Sequence, residues 1–377
     1  MLRPDPAQVT PLRQVAEGRL AGYDKKMDTI THTLTGAVIA KALNEEKVGN
    51  WGTIAGLAAG IFPDSDFVLG LFNRQFYLQY HRDFTHSLIL IPFYALFFSW
   101  VFVRLSKRPH FWSFYKISLL ALVSHVSLDL LTSYGTMIFS PFVETRYTWD
   151  LVFIVDLIFS GIVLIPWLAS FIWKKRAPLI CRGSLAVLLL YVLFCGFQHH
   201  QAMELAKTFG RGLNERTVEV AALPQPLSPF LWTNYVETQD RVYQGFVDLR
   251  RKVPSSGNGG PVEPERKAVS FLGRWRVFRD LYQSPSEIEY SVWQKRDGSP
   301  WVEKALATEG AKFYYWFARF PIAKVVNSNN GVHRVEFTDV RFLVPRFRMP
   351  FVYYIEFNET GQVQSEGFTG DQRKRDG

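Results

Sequence analysis

The run LLALVSHVSLDLL, residues 119–131, decides how the rest of the chain is read. It is apolar and reads as a helix, yet it carries His125 and Asp129 four positions apart. Positions i and i+4 lie on one helix face about a turn apart, so imidazole and carboxylate can reach one cation. A lone histidine in an apolar segment is more often a satisfied structural residue, and a lone aspartate more often a cap or an arginine's partner. The two together, at helical spacing and at membrane depth, favour function because ionisable groups are costly there.

Outward from this run the chain is strongly apolar. Residues 87–103, 116–131 and 151–173 read as membrane spans, and 184–197 as a shorter fourth. Before them come a modest helix over 29–43, TITHTLTGAVIAKAL, and the small-residue segment WGTIAGLAAGIF at 51–62, suited to close helix packing. Both are short for a span of about 20 residues. Residues 1–26 are polar and lack both helical periodicity and the apolar core of a signal peptide, so Met27 is the expected working start. Basic clusters (Arg104, Lys107, Arg108; Lys174, Lys175, Arg176, Arg182) flank the spans and place those links in the cytoplasm. Alternation then sets residues 64–86, 132–150 and everything after 198 outside. His32 joins that side only if the first helix enters from it, which Lys25 and Lys26 mildly oppose.

The net charge of +9 is thus absorbed by topology, and no nucleic-acid partner is expected. Cys181 and Cys195, fourteen positions apart, imply no disulfide framework. Beyond residue 198 a short amphipathic connector (199–216) and a Pro-rich bend (223–229) precede strand-like alternation. The expected strands are 231–237, 241–249, 287–294, 312–320, 333–344 and 351–357, with a loop at 254–264 and a turn at 358–361 before a last short strand. The tail, 372–377, is charged and expected to fray.

The candidate ligands are His32, Asp64, Asp66, His86, His125, Asp129 and Asp150, all at the outer ends of the helices. Oxygen and nitrogen donors of this kind suit zinc foremost, with manganese or iron as alternatives. Such an ion can activate water and polarise a phosphoryl or carbonyl oxygen. Arg82, or Arg146, can clamp an anionic group, and His81 is a ligand or a substrate contact. Asp150 opens a span, where a carboxylate is favoured in any case. Asp156, deeper, either orients a histidine or is a structural hydrogen-bond partner. His110 lies on the cytoplasmic link, and His199, His200 and His333 lack acidic partners.

The motifs THTLTG (31–36), PDSD (63–66), HRDFTHS (81–87) and SHVSLDLLTSYG (124–135) together resemble the YdjM-like family of bacterial inner-membrane proteins, regarded as metal-dependent hydrolases. The resemblance covers about residues 27–175 and implies His32, Asp64 or Asp66, His86, His125 and Asp129 as ligands. More distantly, the order of these residues is similar to zinc-dependent phospholipases C and fungal single-strand nucleases. Those enzymes carry further histidine ligands after the His-x3-Asp helix and an amino-terminal amine ligand. Here the next candidate is Asp150 and His32 is not near a processed terminus, which argues against a full three-metal cluster.

The expectation is therefore an α-helical multi-pass membrane bundle of about four to six hydrophobic helices, followed by a β-rich soluble domain. Its parts are a polar extension (1–26), a helical metal-site domain (27–199) and a β-rich extracytoplasmic domain (200–377). The expected function is a hydrolase of phosphoester or lipid-like substrates at the outer face of a bacterial inner membrane, with Asp129, Arg82 and His81 as its catalytic residues. A metal-ion transporter and a non-enzymatic anchor displaying the C-terminal domain are the alternatives.

Overall fold

The computed structural model describes residues 29–71, 74–251, 279–329, 331–343 and 351–369. The extension 1–26, the loop 254–264, Val344 and the tail 372–377 lie outside the described residues. The chain divides into two compact units, one ending at Phe197 and including Pro224–Pro229, the other formed by Gln198–Leu223 and residues from Phe230 onward.

The first unit is helical. Its elements are α1 (residues 29–43), α2 (Asn50–Ile61), a 3-10 stretch Pro63–Leu71, α3 (Arg74–Tyr80), α4 (Ile91–Ser106), α5 (Phe111–Leu130) and α6 (Leu157–Ile172). The helix α7 (Ala177–Arg211) begins here and continues into the second unit. α1 and α2 cross through glycine: a Cβ on Gly36 would strike the Gly56 carbonyl oxygen, and one on Gly56 that of Gly36. The small-residue segment therefore does what its composition predicts, bringing backbones together where no side chain intervenes. α5 is the central helix; Ala121, Leu122 and Val126 pack with Ala59 of α2 and Ile91 and Ala95 of α4. On another flank Leu128 and Leu131 meet Leu34 and Val38 of α1, Phe159 and Val163 of α6, and Cys181 of α7.

Two helical runs, Phe111–Leu130 and Lys174–Arg211, are long and apolar enough to cross a membrane, or up to four spans if each bent pair counts as one. The bent pairs are Asn50–Ile61 with Pro63–Leu71, at 47°, and Arg74–His86 with Ile91–Ser106, at 74°. Several expected boundaries move. The span expected over 87–103 is α4, which starts at Ile91 with a proline in its first turn. At 16 residues it is about 24 Å long, short of a bilayer core of about 30 Å. Residues 151–156 are not helical, because Asp156 caps α6: its Oδ1 accepts from the backbone N–H groups of Ile158 and Phe159. The segment 184–197 and the connector as far as Arg211 belong to one continuous helix of 35 residues; nothing between Phe197 and Arg211 breaks it.

The second unit holds two antiparallel four-stranded sheets, β1-β2-β3-β4 and β5-β6-β7-β8, each in chain order. The first is Thr217–Gln225, Ser228–Thr238, Arg241–Asp248 and Tyr290–Gln294; the second Pro321–Asn329, Val332–Asp339, Tyr353–Phe357 and Val363–Phe368. Between them lie α8 (Pro300–Leu306) and α9 (Glu309–Phe317). Its main core joins Ala221, Leu223, Tyr235 and Val242 of one sheet to Phe320, Ile322 and Val340. The bend expected at 223–229 is the β1–β2 hairpin. The strand expected at 312–320 is mostly α9, since Gly310, Ala311, Tyr314 and Phe317 are its buried face, a helical spacing, and Thr308 caps its start. Aromatic enrichment pointed to a strand there, and the three-to-four period overrode it.

Candidate metal centre

The site is assembled where α1 begins and α2 and α5 end. His32 stands in the first turn of α1, and α5 carries His125 and Asp129 into its last two turns. The break after α2 delivers Asp64 and Asp66. Residues 81–88 are held over the end of α5 by backbone bonds to the following loop, Met137 N–H to Arg82 O at 2.9 Å and Leu88 N–H to Ile138 O at 2.9 Å. That loop is closed on itself by paired bonds between Thr136 and Tyr147. The first helix thus enters from the ligand end, and His32 joins the others.

His125 is the hub. Its Nδ1 is 2.6 Å from the carbonyl oxygen of Gly60, an acceptor that fixes the N–H on that nitrogen. Nε2 then faces the cluster and, in the neutral ring, carries the lone pair. Around it lie His32 Nδ1 at 3.3 Å, an Asp129 oxygen at 3.4 Å and an Asp64 oxygen at 3.6 Å. His86 Nε2 is 2.9 Å from the same Asp129 oxygen, while its Nδ1 contacts the Thr85 hydroxyl at 2.9 Å. Two overlapping donor groups result, His32–Asp64–His125 and His86–His125–Asp129.

Neighbouring atoms in these groups, 2.9–3.6 Å apart, fit a shared ion. Four ligands about 2.0–2.1 Å from a tetrahedral cation stand roughly 3.3–3.4 Å apart. The Asp129 carboxylate and the His86 and His125 rings, which would lie against such an ion, are fully buried. Both groups share His125, so they overlap at that residue.

Arg82 lies against the opposite side of Asp129, its Nη2 2.7 Å from Oδ1 and its Nη1 3.0 Å from the Thr132 hydroxyl. Its guanidinium lies over the Tyr134 ring, as does that of Arg146. Arg146 donates to the carbonyls of Leu78 and Gly135, so Arg82 is the arginine at the ligands and Arg146 braces the loop. Arg82 has φ +61°, a costly backbone conformation of the kind that collects at functional sites.

The remaining candidates fall outside the two groups. Asp66 engages His81 and the Arg82 backbone. Asp150, buried and at φ +56°, sits in a segment stitched to the end of α5 by Trp149 N–H to Leu130 O and Leu151 N–H to Leu131 O, and enters neither group. Asp156 is a structural partner: besides capping α6 it accepts from the Tyr191 hydroxyl at 2.6 Å. His333 stacks on Trp301, and His199 tilts against Trp232, both in the second unit. Four contributors escaped the sequence reading: the Gly60 carbonyl, Thr85, Thr132 and Tyr134. Thr132, three residues past Asp129 and just beyond the end of α5, was findable from that spacing; a backbone carbonyl carries no signal.

Residues 27–202 match the family model described as YdjM inner membrane protein. The four motifs that carry the resemblance all lie within the matched residues. The chain is also similar to a Bacillus subtilis (strain 168) protein described as uncharacterized protein YfhP. The two are 29% identical over 179 residues, 45% of this chain and 52% of the relative. The chain thus spans about half the length of the curated relative it matches. No solved structure matches.

Proposed function

We propose that residues 27–202 form a membrane-embedded, metal-dependent hydrolase centre that cleaves a phosphoester of an amphiphile at the outer face of a bacterial inner membrane. The observation that carries this reading is the gathering of donors from His32, Asp64, His86, His125 and Asp129 into two overlapping groups, linked by contacts of 2.9–3.6 Å. The donor set favours zinc, with manganese or iron as alternatives. Such an ion lowers the pKa of a bound water and polarises a phosphoryl oxygen. The chain's own residues supply the rest. Gly60 orients His125, Thr85 steadies His86, and Arg82 places a permanent positive charge beside the centre, where developing phosphoryl charge is stabilised.

The polarity of the bundle supports the outer face. Glu45 bonds Ser113 and Lys116, and Arg108 donates to Lys47 O, all at the end opposite the ligands. Arg182 donates to Ala42 O at that same end. A lipid-like substrate is supported by the loops around the ligands, which expose Phe67, Leu71, Phe142 and Trp149. Aromatic and apolar loops of this kind suit the headgroup layer, where an amphiphile's polar end would meet the ligands. The β-rich unit follows on the extracytoplasmic side in this scheme.

The test is metal analysis of detergent-purified protein, followed by release of nitrophenol from a phosphodiester and of head group from phospholipids. Chelated protein and Asp129→Asn are the controls. Bound metal and turnover lost in both controls support the reading. Activity surviving both belongs to a contaminant, and cleavage of an acyl ester alone overturns the phosphoryl assignment.

A further inference from the structure

Asp66 stands with Asp64 in the PDSD turn, but its contacts give it a different task. Both its oxygens are 3.0 Å from His81 Nδ1, and Oδ2 also accepts the Arg82 backbone N–H at 2.9 Å. The Asp66 carboxylate is fully shielded, whereas the His81 side chain is 15% exposed, the most open of the four clustered imidazoles. Tyr77 stacks on the His81 ring at 4.6 Å and Tyr134 meets it edge-on at 5.3 Å. His86, one of the ligands, lies 6.4 Å away ring to ring. A carboxylate on Nδ1 fixes that nitrogen as the N–H donor and leaves Nε2, at the far edge of the ring, as the one that exchanges protons.

We infer that Asp66 and His81 form the proton-transfer dyad of the centre. His81 delivers a proton to the leaving-group oxygen, and Asp66 is the positioning residue that fixes the ring and balances the imidazolium. The assignment rests on the phosphoester reading above. In the balanced step a water oxygen bonds to phosphorus as the bond from phosphorus to the ester oxygen breaks. The electron pair of that bond stays on the ester oxygen, which takes the Nε2 proton and departs as an alcohol. One proton of the attacking water returns to His81, and the other remains on the phosphate product.

The leaving group provides the test. Two phosphodiesters differing only there, one releasing nitrophenol and one benzyl alcohol, are assayed with wild type, His81→Gln and Asp66→Asn, with bound metal and thermal midpoint recorded for each. Nitrophenolate leaves without a proton and an alkoxide does not. Both variants should keep their metal and lose kcat on the benzyl ester by about 10²-fold or more, at least tenfold beyond their loss on the nitrophenyl ester. If His81→Gln does not fold, Asp66→Asn carries the comparison. Equal losses on the two esters overturn the dyad while the hydrolase reading stands. Loss of metal in Asp66→Asn also overturns it, by making Asp66 a ligand. A metal-loaded wild type that cleaves neither ester overturns the dyad together with the reading beneath it.

Discussion

His125 and Gly60 are joined by a 2.6 Å bond from the ring Nδ1 to the backbone carbonyl, and that bond decides which nitrogen of the hub faces the other donors. His125→Ala removes the lone pair common to both donor groups, so bound metal should fall at least tenfold while helix content persists. His333→Ala, in the second unit, should leave metal content unchanged. Equal metal in all three proteins, measured by elemental analysis, would show that the cluster is structural.

Arg82→Ala gives a sharper test of whether a cation sits at Asp129. Removing the guanidinium takes a permanent positive charge from a fully buried carboxylate and leaves it to its histidine neighbours; breaking a buried pair typically costs up to about 3–5 kcal/mol. A bound ion neutralises the same carboxylate. The thermal midpoint of the variant should therefore fall further below wild type in chelator than in the presence of zinc. An identical deficit in both conditions argues that no ion reaches Asp129.

Asp156→Ala should lower stability by about 0.5–2 kcal/mol through loss of the α6 cap, with a further loss from the Tyr191 hydroxyl left without its acceptor. Metal content should not change. A fall in bound metal would return Asp156 to the task of orienting a ligand.

The basic links make topology testable. Reporter fusions after Lys107 and after Lys175 should read as cytoplasmic, and one after Gly210 as extracytoplasmic. A cytoplasmic signal after Gly210 would reverse the scheme and put the donor cluster on the inner face.

What the sequence made legible was local. His125 and Asp129 share a helix face, His32 falls in a first turn, and the PDSD turn stops a helix, so one end of the bundle could be named as the site. What it concealed depends on distant backbone. The Asp66–His81 contact spans fifteen residues and a change of element, so a carboxylate at ligand depth gave no sign that its oxygens were engaged elsewhere. The length of α7 was hidden because hydropathy falls after Phe197 while helicity does not. The Asp156 cap was visible in principle, as an aspartate ahead of Leu-Ile-Phe, but the unbroken apolar run on both sides outweighed it. α9 reversed a strand reading because aromatic content says nothing of period.

Gly36→Ala or Gly56→Ala should destabilise the helical unit by about 1–3 kcal/mol, read as a lower thermal midpoint in detergent. Each new methyl would meet a carbonyl oxygen of the other helix, and neither backbone can yield without moving its helix.

That crossing reaches the donors. His32 lies one turn before Gly36 on α1, and Gly60 lies one turn beyond Gly56 on α2, where a Cβ would already press on His32 O at 3.1 Å. Two of the cluster's coordinates, the His32 ring and the anchor of His125, are therefore dimensioned by main chain against main chain. Side-chain packing gives way by changing rotamer; a carbonyl against a Cα does not. On the metal-centre reading proposed above, a cage gauged in this way would discriminate by ionic radius, holding an ion with bonds of about 2.0–2.1 Å and resisting the expansion to roughly 2.3–2.6 Å that calcium requires.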